Sequence, residues 1–163
     1  MLHIYTGDGK GKSTAAAGLI IRAAGAGLKC AYYSFLKTGA SSELHILRKI
    51  DNIKIYEFPE KVSFLWDMSE KEKQDLSKYY CSVLDEISKG DFDLLVLDEA
   101  MDAICGGIVS EDCVAKLCEK CEVVVTGRGT CEKLFKIADY VTVMKKEKHP
   151  YDRGQSARKG IEY

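Results

Sequence analysis

The chain has 163 residues, 46% apolar and 30% charged, with 24 Lys plus Arg against 25 Asp plus Glu for a formal net charge of -1. That composition is globular and the length suits one domain, without room for two sizeable cores. A near-neutral charge lacks the basic field of a protein that coats nucleic acid, and no apolar run approaches the roughly 18 residues of a membrane span. No nucleic-acid or membrane partner is expected, and with no secretory leader ahead of the first strand the chain reads as cytoplasmic.

Leu2 to Thr6 reads as a short strand running into a glycine-rich turn. Ser13 to Ala26 is Ala-rich with few breakers and reads as a helix ended by Gly27. Lys29 to Leu36 and Ile53 to Phe58 are further strands. Ser69 to Lys89 is a long amphipathic helix, opened by a capping box of Ser69 with Glu72 and followed by Gly90. Leu94 to Leu97 is a continuous apolar run ending in Asp98-Glu99, as suits a strand buried on both faces of a parallel sheet. Glu111 to Cys121 is helical, Glu122 to Thr126 a buried strand and Tyr140 to Met144 a last one. This alternation predicts an α/β domain, doubly wound around a mainly parallel sheet. The tail from Lys145 to Tyr163 shows no periodicity.

Seven cysteines are an odd number, and a chain able to form its own core needs no disulfide framework. Only Cys118 and Cys121 form a C-x-x-C, and a zinc site there needs two more ligands, whereas His3, His45 and His149 are scattered. Reduced thiols serving as small apolar or surface residues are the expectation.

The strongest motif is Gly7-Asp8-Gly9-Lys10-Gly11-Lys12-Ser13-Thr14, set between a strand and a helix as a P-loop requires. In the usual spacing G-x-x-x-x-G-K-(S/T) the first glycine would fall on Thr6, so the turn glycine here is Gly7. Glycines let successive N–H groups point inward, and the helix start adds partial positive charge. Lys12 supplies a point charge for phosphate oxygens and the Ser13 hydroxyl a ligand for Mg²⁺. Asp98 and Glu99 end a buried strand, where ligands of open α/β sheets sit, and either can reach that Mg²⁺ directly or through water. These motifs reach as far as binding of a nucleoside triphosphate. A P-loop ATPase, a small-molecule kinase and another nucleotide-dependent transferase would look alike.

Further segments separate these readings. Gly7 to Ala16 resembles the G-N-G-K-G-K-T-T-A-A loop of the ATP:cob(I)alamin adenosyltransferases of the CobA/CobO/BtuR type. Arg22, eight residues after Thr14, matches that family's helix arginine. Phe64-Leu65-Trp66 matches its F-x-W, Leu97-Asp98-Glu99 its V-L-D-E, and Thr126-Gly127-Arg128-Gly129 its T-G-R-G. The tail from Lys148 to Tyr163 resembles its K-H-A-F-D-x-G-x-x-A-x-x-G-I-(D/E)-Y ending. The motifs keep family order across essentially the whole chain. Asp8 replaces the loop Asn and Ser13 the Thr, both keeping hydrogen-bonding capacity. Members often carry an N-terminal extension that folds over the corrinoid, and here the first strand comes at once.

The resemblance implies a RecA-like nucleoside triphosphate-binding fold in a single domain, 1–163, with the tail 145–163 completing the site. It implies transfer of the 5′-deoxyadenosyl group of MgATP to the Co(I) of cobalamin or a precursor corrinoid, with release of triphosphate. ATP would lie reversed relative to most P-loop proteins. Gly7, Asp8, Gly9, Lys10, Gly11, Lys12, Ser13, Thr14, Arg22 and Arg128 would bind the nucleotide, and Ser13 and Glu99 the Mg²⁺. Phe64 and Trp66 would fill the lower face of the corrin and leave cobalt four-coordinate for reduction. They join Lys12 and Glu99 as the residues of catalysis. Asp152, Arg153 and Gly154 would help shape the nucleotide pocket. A homodimer, and an electron donor such as a reduced flavoprotein, are the partners implied. The loop from Phe58 to Met68 is expected to order on corrinoid.

Overall fold

Six strands lie side by side, all parallel, in the order β3-β2-β4-β5-β1-β6. They are β1 (Leu2–Thr6), β2 (Cys30–Ser34), β3 (Ile53–Ile55), β4 (Leu94–Asp98), β5 (Glu122–Thr126) and β6 (Tyr140–Val143). The structure is a computed structural model that describes all 163 residues. The central strands are apolar on both faces because both faces are covered. Leu95, Leu97, Val123 and Val125 face one core, while Leu94, Val96 and Val124 face the other, following the period of two along a strand.

The first core is filled by α3 (Glu70–Ser88), α4 (Ala100–Cys105), α5 (Glu111–Leu117) and α6 (Glu132–Ile137). The second is covered by α1 (Lys12–Gly25) and the short α2 (Leu44–Leu47). Helices on both faces of a parallel sheet make the doubly wound arrangement expected from the alternation. On α3 the stripe Leu76, Tyr80, Val83, Leu84 and Ile87 is buried, each residue contributing about 1.5–3 kcal/mol of burial free energy. The capping box is present: Glu72 N–H donates to Ser69 Oγ at 3.3 Å, and Ser69 N–H to Glu72 Oε2 at 2.8 Å.

Several elements depart from the expected spans, β2 among them, which is confined to Cys30–Ser34. β3 stops at Ile55, because the chain leaves the sheet to stack Phe58 on Tyr33, with ring centroids 5.3 Å apart. α5 stops at Leu117, where the Cys118 and Lys120 N–H groups bond three residues back and tighten the chain into β5. β6 is an exposed edge strand. Two helices, α2 and α6, went unforeseen, since four and six residues are too few for a helical period to show.

The order of strands places β5 between β1, which feeds the glycine loop, and β4, which ends in the acids. The carboxyl ends of β1, β2, β4 and β5 therefore open on one side of the sheet, where the site is built.

Candidate active site

The loop after β1 is shaped by its glycines and by the end of β6. Gly7 and Gly11 adopt φ of 106° and 112°, in the region that favours glycine. The Gly9 N–H donates to Met144 O at 2.7 Å, and a Cβ on Gly7 or Gly9 would run into the Met144 backbone. Asp8 fixes the same junction by accepting the Lys146 N–H at 3.0 Å, a bond that holds its carboxyl below its ordinary value. The loop is thus bound to the chain leaving β6, the edge strand beside β1.

α1 then starts at Lys12, and Ala15 N–H is donated to Gly11 O. The N–H groups of Lys12, Ser13 and Thr14 precede the first helical donor and stay available to an anion. The Lys12 Nζ donates to the carbonyls of Gly7 and Gly9, both at 2.8 Å, so the ammonium lies folded over the loop. Burial, followed by the nearby Arg128 charge, pushes Lys12 below the ordinary lysine value, against the pull of Glu99, Asp102 and Asp8.

Across from the loop, Asp98 is 0% exposed and fully engaged. It accepts Thr126 Oγ1 at 2.6 Å, Ser34 Oγ at 3.0 Å and Lys37 Nζ at 2.7 Å. Burial opposes its charge, but Lys37 and the hydroxyls of Thr126 and Ser13 outweigh it and hold the carboxyl below its ordinary range. Glu99 is different. It turns out of the strand at φ 57°, with its N–H on Thr126 Oγ1 at 2.9 Å. Burial and the neighbouring Asp98 push its carboxyl up to about 7, against Lys37. Asp98 is taken up by these partners, whereas Glu99, 3.9 Å from the Lys37 ammonium, lines the cavity described below.

Lys37 and Ser34 were not singled out in the sequence, and Thr126 entered only as the first residue of the T-G-R-G match, without a role. Thr126 works because β5 separates β1 from β4, a feature of strand order alone. Lys37 follows β2, and its only sequence signal is a charge just past an apolar run. Tyr80 steadies that segment: its hydroxyl accepts the Leu36 N–H at 2.7 Å, and Leu36 has a φ of 56°.

A cavity of about 480 Å³ lies between these groups, lined by Ser13, Thr14, Lys37 and Glu99, by Ser41 to Glu43, and by the tail residues Gly160 to Tyr163. The tail is tied on at two points. Glu162 accepts Lys10 Nζ at 3.1 Å and Arg158 Nη2 at 3.1 Å, contacts led by Arg158 that lower its carboxyl to about 2. Ser42 Oγ donates to Tyr163 O at 3.0 Å. Lys10 thereby joins loop to tail. Asp152 holds Lys146 Nζ at 3.0 Å, while Asp152 and Arg153 line a separate small cleft and Gly154 caps the adjoining 3₁₀ turn with a φ of 79°.

Arg128 is exposed, and its N–H donates to Asp102 Oδ2 at 2.8 Å. Gly127 and Gly129 let this turn pass close to α4, since a Cβ on either would strike Asp102, Met101 or Cys105. Arg22 is not brought to the loop. It is exposed in the last turn of α1, and ten residues at the helical rise set it about 15 Å from Lys12 along the axis.

Phe64 and Trp66 open and occupy a 3₁₀ turn, Leu65–Asp67. Their rings stack at 4.8 Å and 8°, and they are 68% and 79% exposed. They are not core residues. Leu65 between them points inward against the first core and Gly106, and Met68 is buried, so the turn is anchored while it displays the pair.

No group of three or more His, Cys, Asp or Glu side chains is placed to hold a metal. Cys118 and Cys121 donate their thiols to Val114 O and Leu117 O at 3.3 and 3.8 Å, and burial pushes Cys118 up to about 11. No helix is long and apolar enough to cross a membrane.

A glycine loop opening onto free helix N–H groups, acids at a nearby strand end and a doubly wound parallel sheet define a P-loop nucleotide-binding α/β protein. Residues 1–163 match the family model described as ATP:corrinoid adenosyltransferase BtuR/CobO/CobP, and the chain belongs to that family. It is 33% identical over 178 residues to the corrinoid adenosyltransferase of Pseudomonas aeruginosa, covering 100% of this chain and 83% of that relative. Its identity to the corrinoid adenosyltransferase of Escherichia coli K12 is 30% over 171 residues, covering 100% of this chain and 85% of the relative. Corrinoid adenosyltransferase CobA of Salmonella typhimurium is similar at 29% over 174 residues, with 100% and 85% covered.

Proposed function

We propose that this chain transfers the 5′-deoxyadenosyl group of ATP to the Co(I) of a corrinoid, with the residues of the cavity in the roles that follow. The observation that carries the reading is one cavity in which Ser13, Thr14 and the start of α1 face Lys37 and Glu99, beside the glycine loop that Lys12 covers. That arrangement cradles a triphosphate and leaves the other end of the nucleotide toward the tail and the open side.

The cobalt electron pair attacks C5′, a Co–C bond forms, and the C5′–O bond breaks with its pair leaving on triphosphate. The substrate supplies the nucleophile, so the protein has to position C5′ and balance the departing charge. Lys12 gives up its bonds to the Gly7 and Gly9 carbonyls and turns to phosphate oxygen, Arg128 adds charge from the β5 turn, and Lys10 with Glu162 keeps the tail closed over the nucleotide. The donor set fits Mg²⁺: the Ser13 hydroxyl and Glu99 carboxylate are hard oxygen ligands, and two protein ligands suit an ion that completes its shell with phosphates and water. Bound there, Mg²⁺ would draw charge from the triphosphate as it leaves.

Phe64 and Trp66 offer a flat apolar surface that suits the lower face of a corrin, excluding an axial ligand and easing reduction to Co(I). That electron comes from a separate donor, for which a reduced flavoprotein is our choice. Seven free thiols suit a reducing cytoplasm. We also propose a homodimer, on family membership.

Incubation with ATP and chemically reduced corrinoid, followed by identification of the phosphate product, tests the reading. Triphosphate in step with adenosylated corrinoid is expected. ADP and phosphate would instead make the chain an ATPase or kinase.

A further inference from the structure

The carboxylate pair already has a cation. Lys37 reaches from the segment after β2, its side chain 29% exposed, and puts its ammonium 2.7 Å from Asp98 Oδ2 and 3.9 Å from Glu99 Oε1. Ser34 and Thr126 also donate to Asp98, which is buried on all sides. The backbone aims the lysine there: Phe35 N–H donates to Asp98 O at 2.9 Å, and Leu36 takes a left-handed turn whose N–H is caught by Tyr80. The same ammonium lines the cavity with Ser13, Thr14 and Glu99.

A divalent ion held by Ser13 and Glu99 would sit within a few ångströms of that ammonium, where two cations repel strongly. A lysine ammonium is a point charge on a flexible stem and can relocate. A triphosphate entering the cavity offers it a strongly anionic alternative.

We propose that Lys37 is a resident cation that neutralises the Asp98–Glu99 pair before nucleotide binds and passes to the triphosphate when the metal takes its place. This rests on the nucleotide reading given above. Lys37 is then a substrate-contacting residue, and the divalent ion alone binds weakly because the protein already supplies a competitor. Metal and triphosphate favour each other's binding, because each removes an obstacle to the other.

Two probes on the intact protein test this: Mn²⁺ alone, followed by its electron spin resonance, and inorganic tripolyphosphate in the presence of a chelator. Lys37→Met is expected to tighten Mn²⁺ alone by about ten-fold, since an uncompensated carboxylate pair attracts the metal. It should weaken metal-free tripolyphosphate by about five-fold through loss of a charge-assisted contact. Lys37→Arg keeps the charge and should leave both affinities near wild type. A merely misfolded variant would lose both ligands and could not tighten one, and thermal unfolding checks the fold directly. Unchanged Mn²⁺ affinity in Lys37→Met, with wild type binding both probes, would overturn the role of Lys37 and leave the nucleotide site standing. Wild type that binds neither tripolyphosphate nor MnATP would overturn the nucleotide site, and this inference with it.

Discussion

The phosphate loop and the aromatic turn stand at opposite poles of the same molecule. The loop is polar, internally bonded and closed: Lys12 covers its carbonyls, Met144 and Lys146 pin its far side, and the tail reaches back through Lys10. The turn is apolar and open, with two stacked rings facing outward and Leu65 and Met68 holding them from beneath. A charged ligand needs donors fixed in advance, because reorganising dipoles around a phosphate is costly. A wide apolar ligand needs a flat surface left uncovered, and exposed aromatics are the signature of a surface with a partner to meet. Each region is therefore finished to a different degree before its ligand arrives.

Breaking the polar half should have the largest effect. Lys12→Ala removes the charge meant for the triphosphate, and the loss expected is about 2–4 kcal/mol of transition-state stabilisation, or roughly 30- to 1000-fold in kcat/KM. The melting temperature should hardly move, because Lys12 makes two bonds to loop carbonyls and packs little. Full activity with normal ATP affinity would remove the loop from the site.

The aromatic half predicts a loss that depends on the oxidation state supplied. Phe64→Ala with Trp66→Ala should slow turnover from cob(II)alamin under mild reductant by about ten- to a hundred-fold, since the proposed role of the rings is to assist reduction by shaping axial ligation. Chemically pre-reduced cob(I)alamin should suffer far less. Equal losses with both would reduce the pair to general corrinoid contact. Limited proteolysis near the exposed Lys61 sharpens the point, because corrinoid with MgATP should slow cleavage there if the ligand seats on this turn.

Glu99 gives a smaller, pH-dependent contrast between the halves. Its folded value of about 7 lies above the ordinary 4.5, so the metal-free folded protein keeps a proton that the unfolded chain releases. That contribution to stability is complete below 4.5 and is lost as pH rises through about 7. Thermal stability of metal-free wild type should therefore fall from about pH 5.5 to 7.5, while Glu99→Gln flattens that dependence. MgATP affinity should run the other way, rising with pH as the carboxylate becomes available. A pH-independent affinity would exclude Glu99 as the metal ligand.

Ser69→Ala should have the smallest effect. It removes the cap of α3 beside the aromatic turn, costing about 1 kcal/mol and roughly 2–4 °C in melting temperature for a domain of this size. Turnover should be unchanged. A fall in turnover from cob(II)alamin alone would show that the turn takes its position from the start of α3 as well as from Leu65.

Wherever function is written over a few consecutive residues, the sequence by itself determined it. Gly7 to Thr14 reads as a phosphate loop because glycine spacing, a preceding strand and a following helix are all local. Ser69 and Glu72 announce a cap for the same reason, and the apolar runs of β4 and β5 announce burial on both faces. Phe64 and Trp66 were visible only by resemblance, since two aromatics two apart suit a core as well as a display; exposure separated the alternatives. Thr126 and Lys37 depended on the fold. That a threonine ending β5 should bridge Asp98 and the Glu99 backbone follows from β5 lying between β1 and β4, and strand order is set by long crossover connections. That Lys37 should lie on Asp98, 61 residues away, required a left-handed Leu36 and the Tyr80 hydroxyl to hold it. Contacts of that separation carry no local pattern, because the energy that selects them comes from neutralising a buried charge that exists only once the sheet has closed around it.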